Sequence, residues 1–390
     1  MSSSPLVVVF APDSFKGSLS SVEVALALRQ GWARVRPADE LLLAPLADGG
    51  EGTLAAIEAA GGWERESSEV LNPDFVTIEA SWLRSADGDR AVIELAQASG
   101  LSLLVPADRH PLLLTTFGTG QLIEAALDAG IRRITLGIGG SATNDAGSGI
   151  LQALGARPLD EDGMTPVEEP TATTPILFQR IVRIDLAGLD PRLAEVDLRI
   201  ACDVSNPLLG QNGATAVYGP QKGATPDDRE DLEWALTSFA DALEAATGRR
   251  ERDIPGAGAA GGVGFGLLCL RDRFRSLELV PGVDLVADET GLDEKLARAD
   301  IVVTGEGRID AQTAFGKTAL GVARRAQAAG VRCIAIGGGV EPEGIRALAA
   351  IGAQVVPVHE APIALEAAIA AGAAPLIACA ERVARSLDGR

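Results

Sequence analysis

The sequence predicts an α/β protein with two domains, and three observations support this. Its length of 390 residues is enough for two hydrophobic cores. Its composition, 47% hydrophobic with 45 glycines and only 4% aromatic residues, is typical of α/β proteins rich in small aliphatic side chains. Short apolar segments repeatedly run into glycine-containing polar loops and then into helical patterns, which indicates a mainly parallel sheet.

The first two βα units place acidic and glycine residues at the ends of strands. An apolar strand over residues 6–11 is followed by a loop, and Ser20 with Glu23 forms a capping box that starts a helix. A second strand over residues 41–46 runs into another glycine-rich loop and a helix that ends at Gly61. Because α/β sheets bind ligands at the carboxyl ends of their strands, the candidate binding residues here are Asp13, Lys16, Asp48, Gly49, Gly50 and Glu51.

A hairpin interrupts this rhythm and marks the second domain. Residues 75–83 and 91–95 alternate between apolar and polar side chains and flank the turn Asp87–Gly88. The βα rhythm returns at Thr115. We therefore predict a first domain of residues 1–66, 115–158 and 285–390, and a second of residues 67–114 and 159–284.

The most informative stretch is residues 134–149, ITLGIGGSATNDAGSG. A buried strand breaks at glycines, a polar cluster follows, and an apolar helix closes the unit, a layout that directs backbone N–H groups at an anion. A structural tight turn is one alternative, and a dinucleotide fingerprint from Gly137 to Ala142 is another, although polar residues stand where its helix should begin. A phosphate or polar-substrate site is favoured, with candidates Gly139, Gly140, Ser141, Thr143, Asn144 and Asp145.

Two later strands end in similar clusters. A strand over residues 198–201 precedes Asp203 and Asn206, and a strand over residues 301–304 precedes a polar loop. Residues 316–318, Gly-Lys-Thr, match the end of a P-loop, but the leading glycine is absent because Ala311 occupies its position. The candidates in the later loop are Glu306, Arg308, Asp310 and Lys317.

Lysine usage points to three glycine-containing loops as candidate phosphate sites. Only four of the 34 basic residues are lysines, and Lys16, Lys222 and Lys317 each adjoin a glycine. Chance is the plain explanation, whereas the sharper one is that a compact ammonium is kept where it faces phosphate. Lys295 lies in a predicted helix away from glycine, and we expect it to tolerate alanine.

Net charge and cysteine content limit the possible partners and the cellular compartment of the protein. A net charge of −20 argues against nucleic acid and anionic membranes as partners. The four scattered cysteines show no metal-ligand spacing and indicate reduced core residues of a cytoplasmic protein. We find neither a signal peptide nor a membrane-spanning run, and a homodimer is left open.

Taken in order, the conspicuous blocks resemble the type 1 glycerate kinase family. They are APDSFKGSLS (11–20), PLADGGEGT (45–53), FGTG (117–120), GIGGSATNDAG (137–147), NPLLGQNGA (206–214), GPQKGA (219–224), GAGAAGG (256–262), TGEGRIDAQT (304–313) and GKT (316–318). The resemblance covers residues from about 6 to 340, and together these blocks are highly specific. Tyr218 stands where phenylalanine is common in the family, and Ala314–Phe315 precede the last block where more polar residues are usual.

The resemblance implies two α/β domains, one Rossmann-like and discontinuous in sequence, with the active site in the cleft between them. It implies transfer of the γ-phosphoryl group of ATP to D-glycerate, giving 2-phosphoglycerate or 3-phosphoglycerate. Such a transfer needs Mg²⁺, cations on the phosphates and a carboxylate near the attacking hydroxyl. We expect Asp203 or Asp48 near the substrate, Glu306 or Asp310 at the metal, and Lys16, Lys222, Arg308 and Lys317 as cations.

Two other functions stay open at this stage. The fingerprint at residues 137–142 and a second G-x-G-x-x-G match at residues 256–261 would suit a nicotinamide-dependent dehydrogenase, but no strand precedes the second match. A non-catalytic nucleotide sensor on the same fold is the other alternative.

Overall fold

The computed structural model describes residues 4–166, 172–311, 313, 318–360 and 363–387. The chain divides into two compact units. The first consists of Met1–Asp48, Ala55–Gly62 and Val283–Arg390, and the second of Gly49–Leu54 and Trp63–Gly282. Each unit contains a sheet with helices, so the predicted α/β class is confirmed.

The strands in chain order are β1 (Val7–Pro12), β2 (Glu40–Leu43), β3 (Trp63–Leu71), β4 (Thr77–Ser85), β5 (Arg90–Glu94), β6 (Arg133–Gly137), β7 (Arg157–Leu159) and β8 (Arg183–Asp185). They continue with β9 (Asp197–Ala201), β10 (Ser276–Val280), β11 (Ile301–Ile309), β12 (Arg332–Val340) and β13 (Gln354–Pro357).

The helices begin with α1 (Ser21–Val35), α2 (Thr53–Ala60), α3 (Ala96–Ser99), α4 (Phe117–Asp128), α5 (Ser148–Ala153), α6 (Ala214–Tyr218) and α7 (Pro226–Thr247). They continue with α8 (Ala259–Cys269), α9 (Gly282–Glu289), α10 (Leu292–Leu296), α11 (Thr318–Ala329), α12 (Pro342–Ala349), α13 (Leu365–Ala370) and α14 (Ala374–Arg385). Within the described ranges, none of these helices combines the length and the apolar character needed to cross a bilayer.

The first unit is built on a five-stranded sheet in the order β13-β12-β11-β1-β2. All its strand pairs are parallel. Counted within this unit, the order is 2-1-3-4-5, the flavodoxin-like arrangement, whose ligand crevice lies where the strand order reverses. The carboxyl ends of β1 and β11 are therefore the expected ligand-binding edge of this sheet.

Helices α1 and α14 cover one face of the first sheet. Trp32 and Phe10 meet edge to face, with ring centroids 5.9 Å apart. The two helices approach closely at Gly31, where a Cβ would lie 2.2 Å from the carbonyl oxygen of Ile377. Helix α1 begins with the predicted capping box of Ser20 and Glu23.

The second unit is built on a six-stranded sheet in the order β10-β9-β6-β5-β4-β3. The strands from β10 to β5 pair in parallel, and β4 and β3 extend the sheet antiparallel. Strands β4 and β5 confirm the predicted hairpin. Helix α7 has a capping box at Thr225, Pro226 at its first position and a left-handed Gly248 at its end. Phe239 of this helix stacks on Phe178 with centroids 4.6 Å apart.

The predicted domain boundaries are wrong for residues 115–158. Strand β6 lies between β5 and β9 in the second sheet, and the segment belongs to the second unit. The physical reason is that a strand apolar on both faces suits either parallel sheet, so its hydrophobic pattern alone does not say which sheet it joins. Residues 49–54 also belong to the second unit.

Candidate active site

Two predicted glycine loops meet at the carboxyl ends of the parallel strands in the second unit. The Gly139 N–H donates to the carbonyl oxygen of Gly49 across 3.2 Å. A Cβ on Gly137 would lie 2.5 Å from that same oxygen, and a Cβ on Gly139 would lie 2.5 Å from the Cα of Gly50. The backbones can pass this closely only because side chains are absent on both sides.

Only the start of the polar cluster at residues 139–145 reaches the surface. Gly140 is exposed, Gly139 is half-buried and Ser141 retains 8% exposure. Thr143, Asn144 and Asp145 are fully buried, although the sequence suggested that they contact a ligand. The Asn144 amide donates to Thr215 Oγ1 across 2.8 Å, so its side chain fixes the loop from inside.

Asp145 is a buried anchor between two helix starts. Its Oδ2 accepts from the Thr116 N–H at 2.9 Å and the Thr116 hydroxyl at 2.7 Å, just before α4. Its carboxylate also accepts from the N–H groups of Gly147 and Gly149 at the start of α5. Burial raises the pKa of Asp145, and these hydrogen bonds act in the opposite direction. Asp145 therefore shapes the loop, and its burial does not fit the expected direct ligand contact.

Lys222 is also turned into the protein. Its side chain is 2% exposed, and its Nζ donates to Ser141 Oγ at 2.7 Å and to the Thr143 carbonyl oxygen at 2.6 Å. This burial does not fit the expected phosphate-facing charge. Spacing to glycine could not distinguish the two situations, because burial depends on how the 3₁₀ turn Pro220–Lys222 packs against the loop.

Glu94 is a site residue that sequence reasoning missed. It ends β5, is 1% exposed, and accepts from the Leu54 N–H at 2.9 Å and from Gln97 Nε2 at 3.0 Å. Burial raises its pKa, and the negative charge of Glu51 also raises it. Leu54 lies in the first turn of α2, so Glu94 fixes the loop that carries Gly49 to Glu51. A single carboxylate closing an apolar strand was the signal available in the sequence.

Asp203 and Asn206 follow β9 but differ in their surroundings. Asp203 is exposed, and its Oδ1 accepts from the Gly282 N–H at 2.9 Å. Asn206 uses both ends of its amide within the protein: Nδ2 donates to the Asn212 carbonyl oxygen at 2.8 Å and Oδ1 accepts from the Tyr218 hydroxyl at 2.7 Å. Asn206 therefore stabilises the loop after β9 through its side chain, whereas Asp203 is an accessible carboxylate at the carboxyl end of the same strand.

The second G-x-G-x-x-G match, residues 256–261, packs against the buried side of the loop at residues 139–145. Ala260, Gly261 and Gly262 all have positive φ, and a Cβ on Gly261 would lie 2.1 Å from the Thr143 carbonyl oxygen. The Ala146 N–H donates to the Gly261 carbonyl oxygen at 2.9 Å. The glycines of this segment thus permit a close backbone contact with the loop after β6.

In the first unit, Asp13 lies at the switch point between β1 and β11. Its N–H donates to the Gly305 carbonyl oxygen at 2.8 Å, and its Oδ2 accepts from the Thr318 hydroxyl at 2.6 Å. Its Oδ1 accepts from the Ser14 N–H at 2.6 Å. The β1 loop and the start of α11 are held together by this carboxylate.

Glu306 does not lie in a loop as the sequence suggested. Strand β11 continues to Ile309, and Glu306 pairs in register with Gly337 and is 5% exposed. Its Oε1 accepts from the Thr313 hydroxyl at 2.7 Å, and that hydroxyl in turn accepts from the Asp310 N–H at 3.1 Å. Glu306 and Asp310 are therefore linked through one threonine at the carboxyl end of β11.

Two of the predicted cations of the first unit, Lys16 and Arg308, are exposed. Lys16 lies on the surface in the turn after β1. Arg308 is 67% exposed at its side chain, pairs with Glu341, and approaches Asp310 at 3.8 Å. Lys317 lies outside the described residues.

The polar side chains at the carboxyl ends of β1, β9 and β11 offer mainly oxygen atoms as possible metal ligands. Among the described residues, no group of three or more carboxylate, histidine or cysteine side chains is arranged to hold a metal ion. Mg²⁺ commonly takes only one or two protein carboxylates and completes its shell with phosphates and water. The pair Glu306 and Asp310 is chemically suited to this kind of binding.

Comparisons with known proteins bear on the family to which this chain belongs. The model of the glycerate kinase family matches residues 8–388. A glycerate kinase from Halalkalibacterium halodurans is 48% identical over 331 residues, 85% of each protein, and the glycerate 2-kinase of Escherichia coli K12 is 43% identical over 320 residues, 82% of each. A solved structure from Salmonella typhimurium LT2, assigned as glycerate kinase 2, matches 99% of each chain with a TM-score of 0.84 and 42% identity. Since these matches extend over most of the sequence and its fold, the chain belongs to the glycerate kinase family.

Proposed function

We propose that this kinase transfers the γ-phosphoryl group of ATP to the 2-hydroxyl of D-glycerate in the presence of Mg²⁺. The observation that carries the proposal is the convergence of two glycine loops and Asp203 at the carboxyl edge of the second sheet, in a chain of this family. The E. coli relative, named a glycerate 2-kinase, supports the 2-hydroxyl over the 3-hydroxyl as acceptor.

The residues of the second unit suit a small hydroxy acid. Gly139 and Gly140 offer backbone surface that a ligand can approach closely, and Ser141 offers a hydroxyl beside them. Asp203 would accept a hydrogen bond from the attacking hydroxyl and orient it, since its carboxylate is exposed. Asp48, the alternative named from the sequence, is also exposed but belongs to the first unit. Such positioning is most of what a protein contributes to phosphoryl transfer.

The residues of the first unit suit a nucleotide with its metal ion. Glu306 and Asp310 would hold Mg²⁺, which neutralises the charge that develops on the transferred group. Lys16 and Arg308 are exposed cations that would contact the phosphates. Lys317, which lies outside the described residues, is a third candidate on its sequence alone. In a chain of net charge −20, local cations and Mg²⁺ are needed to offset the overall field around an anionic substrate.

A coupled assay of ADP release tests the proposal. ATP would be offered with D-glycerate, L-glycerate, glycolate and lactate, each with and without Mg²⁺. We expect ADP formation that depends on D-glycerate and on the metal. ADP formation that is equal without any acid, or a preference for lactate, would contradict the proposed substrate.

A further inference from the structure

The environment of Lys222 is unusual for a lysine. Lysines are almost never fully buried unless they are paired, yet this side chain is 2% exposed and touches two oxygen atoms of the loop after β6. Gly223, which follows it, has φ +95°, and a Cβ there would lie 2.3 Å from the Arg109 carbonyl oxygen. The backbone around Lys222 is therefore fixed, and its ammonium has little freedom to reach the surface.

Two buried charges hold the loop from opposite sides. Lys222 binds its start through Ser141 and Thr143, and Asp145 binds its end to the first residues of α4 and α5. Burial lowers the pKa of Lys222 to about 7, and the negative charge of Asp145 opposes this. A compact ammonium suits this enclosed position, whereas the planar guanidinium of arginine is larger.

The contact with Ser141 has a directional consequence. A serine hydroxyl has one proton to donate and two lone pairs to accept with. Among the described residues, the only hydrogen bond of the Ser141 hydroxyl is the one that it accepts from Lys222. Its proton therefore remains available for an acceptor on the exposed side, next to Gly140.

We propose that Lys222 is a positioning residue: its buried ammonium fixes the loop at residues 139–145 and orients the Ser141 hydroxyl as a donor toward an anionic oxygen of the substrate. The inference rests on the proposed function for the identity of that substrate. It assigns substrate contact to Ser141 and an indirect role to Lys222.

A double-mutant cycle with Ser141→Ala and Lys222→Met tests this inference. Methionine has a similar length and volume but carries no charge and no donor. We expect each single variant to lower kcat/KM for D-glycerate on the order of 10²-fold per folded molecule, as for loss of one aligned donor. The double variant should lose no more than the larger single loss, because both changes remove the same interaction.

Lys222→Gln serves as the conservative variant. Its amide can still donate to Ser141 Oγ, and we expect part of the activity to return. It also replaces Lys222→Met in the cycle if the methionine variant does not fold.

Lys295→Met is the matched control. Lys295 is another largely buried lysine, in the other unit, and within the described part of the chain its Nζ donates only to backbone carbonyl oxygens. We expect it to lose stability while kcat/KM per folded molecule stays at the wild-type value. If Lys222→Met behaves in the same way, or if its loss multiplies with that of Ser141→Ala, Lys222 is only structural and the inference is wrong.

Amide hydrogen exchange separates this inference from the proposed function. If wild-type protein forms no ADP with D-glycerate, the proposed function fails, and exchange then decides the role of Lys222 in fixing the loop. We expect the amides of residues 139–147 to exchange faster in Lys222→Met than in both wild type and Lys295→Met. Unchanged exchange in this segment would overturn the inference whatever the substrate.

Discussion

Lys295 ties three separate segments of the first unit together. Its Nζ donates to the carbonyl oxygens of Leu43 at 2.7 Å, Ala60 at 3.0 Å and Thr290 at 2.6 Å. Burial lowers its pKa to about 8. The sequence placed Lys295 in a helix and suggested that it tolerates substitution. No sequence pattern reveals that carbonyl groups from three separate segments converge on its ammonium.

We expect Lys295→Met to lower the free energy of unfolding by about 2 kcal/mol, because three partly buried carbonyl oxygens lose a charged donor. Denaturant unfolding measures this change. Unaltered stability would show that the three carbonyl groups find other donors.

The protonation of Lys222 gives the protein a specific pH dependence. Its pKa is about 7 in the folded chain and near 10.5 when exposed, so between these values the unfolded chain binds more protons than the folded chain. Stability should therefore rise with pH in this window relative to Lys222→Met, at up to about 1.4 kcal/mol per pH unit. Unfolding of both proteins at pH 7.5 and pH 9 checks this, and a constant difference between them would contradict the lowered pKa.

At the scale of elements, the site depends on the close passage of two backbones. We expect Gly139→Ala to destabilise the protein by about 1–3 kcal/mol and to lower kcat/KM at least tenfold, since its Cβ would meet the Gly50 Cα at 2.5 Å. The backbone of Gly50 cannot yield without moving the whole loop.

Gly321→Ala is the control for this substitution. Gly321 lies inside α11, and a Cβ there would meet only Val283 Cγ1 at an ordinary 3.8 Å. Alanine should be neutral or stabilise the helix by about 0.5–1 kcal/mol. If both variants behave alike, the close approach at Gly139 has no functional weight.

At the scale of the whole molecule, the two units carry different carboxylates for different tasks. Asp203→Asn should lower turnover at every Mg²⁺ concentration, because Asp203 is proposed to orient the attacking hydroxyl. Glu306→Gln should show a defect that excess Mg²⁺ partly relieves, since metal binding follows mass action. Both amides keep an oxygen that can accept from Gly282 N–H or Thr313 Oγ1, so gross unfolding is not expected.

Turnover measured across a Mg²⁺ titration, with thermal melts alongside, distinguishes these cases. Full rescue of Asp203→Asn by Mg²⁺ would contradict its role in orienting the hydroxyl and would indicate that Asp203 binds the metal ion. If a variant loses stability but keeps its turnover per folded molecule, the substituted residue only stabilises its turn and has no role in catalysis.

Hydrophobic pattern and turn chemistry predicted much of this architecture. The capping box at Ser20, the β4–β5 hairpin and the glycine loop after β6 all follow from local sequence. What the sequence could not supply is long-range: which sheet β6 joins, and which polar residues are buried. Asp145 and Lys222 are charged residues near glycines, so the sequence suggests that they face a ligand. Both are buried in the fold, and this burial depends on segments far along the chain that the local sequence does not show.

Phosphorus NMR of the reaction with D-glycerate tests the central claim most directly, because it reports both the transfer and its position. Phosphorus on the 2-hydroxyl couples to the single proton of C2, whereas phosphorus on the 3-hydroxyl couples to the two protons of C3. The proposed function predicts a new phosphomonoester doublet that grows as the γ-phosphate signal of ATP disappears. A triplet would contradict the assigned position, and inorganic phosphate as the only product would contradict phosphoryl transfer to glycerate.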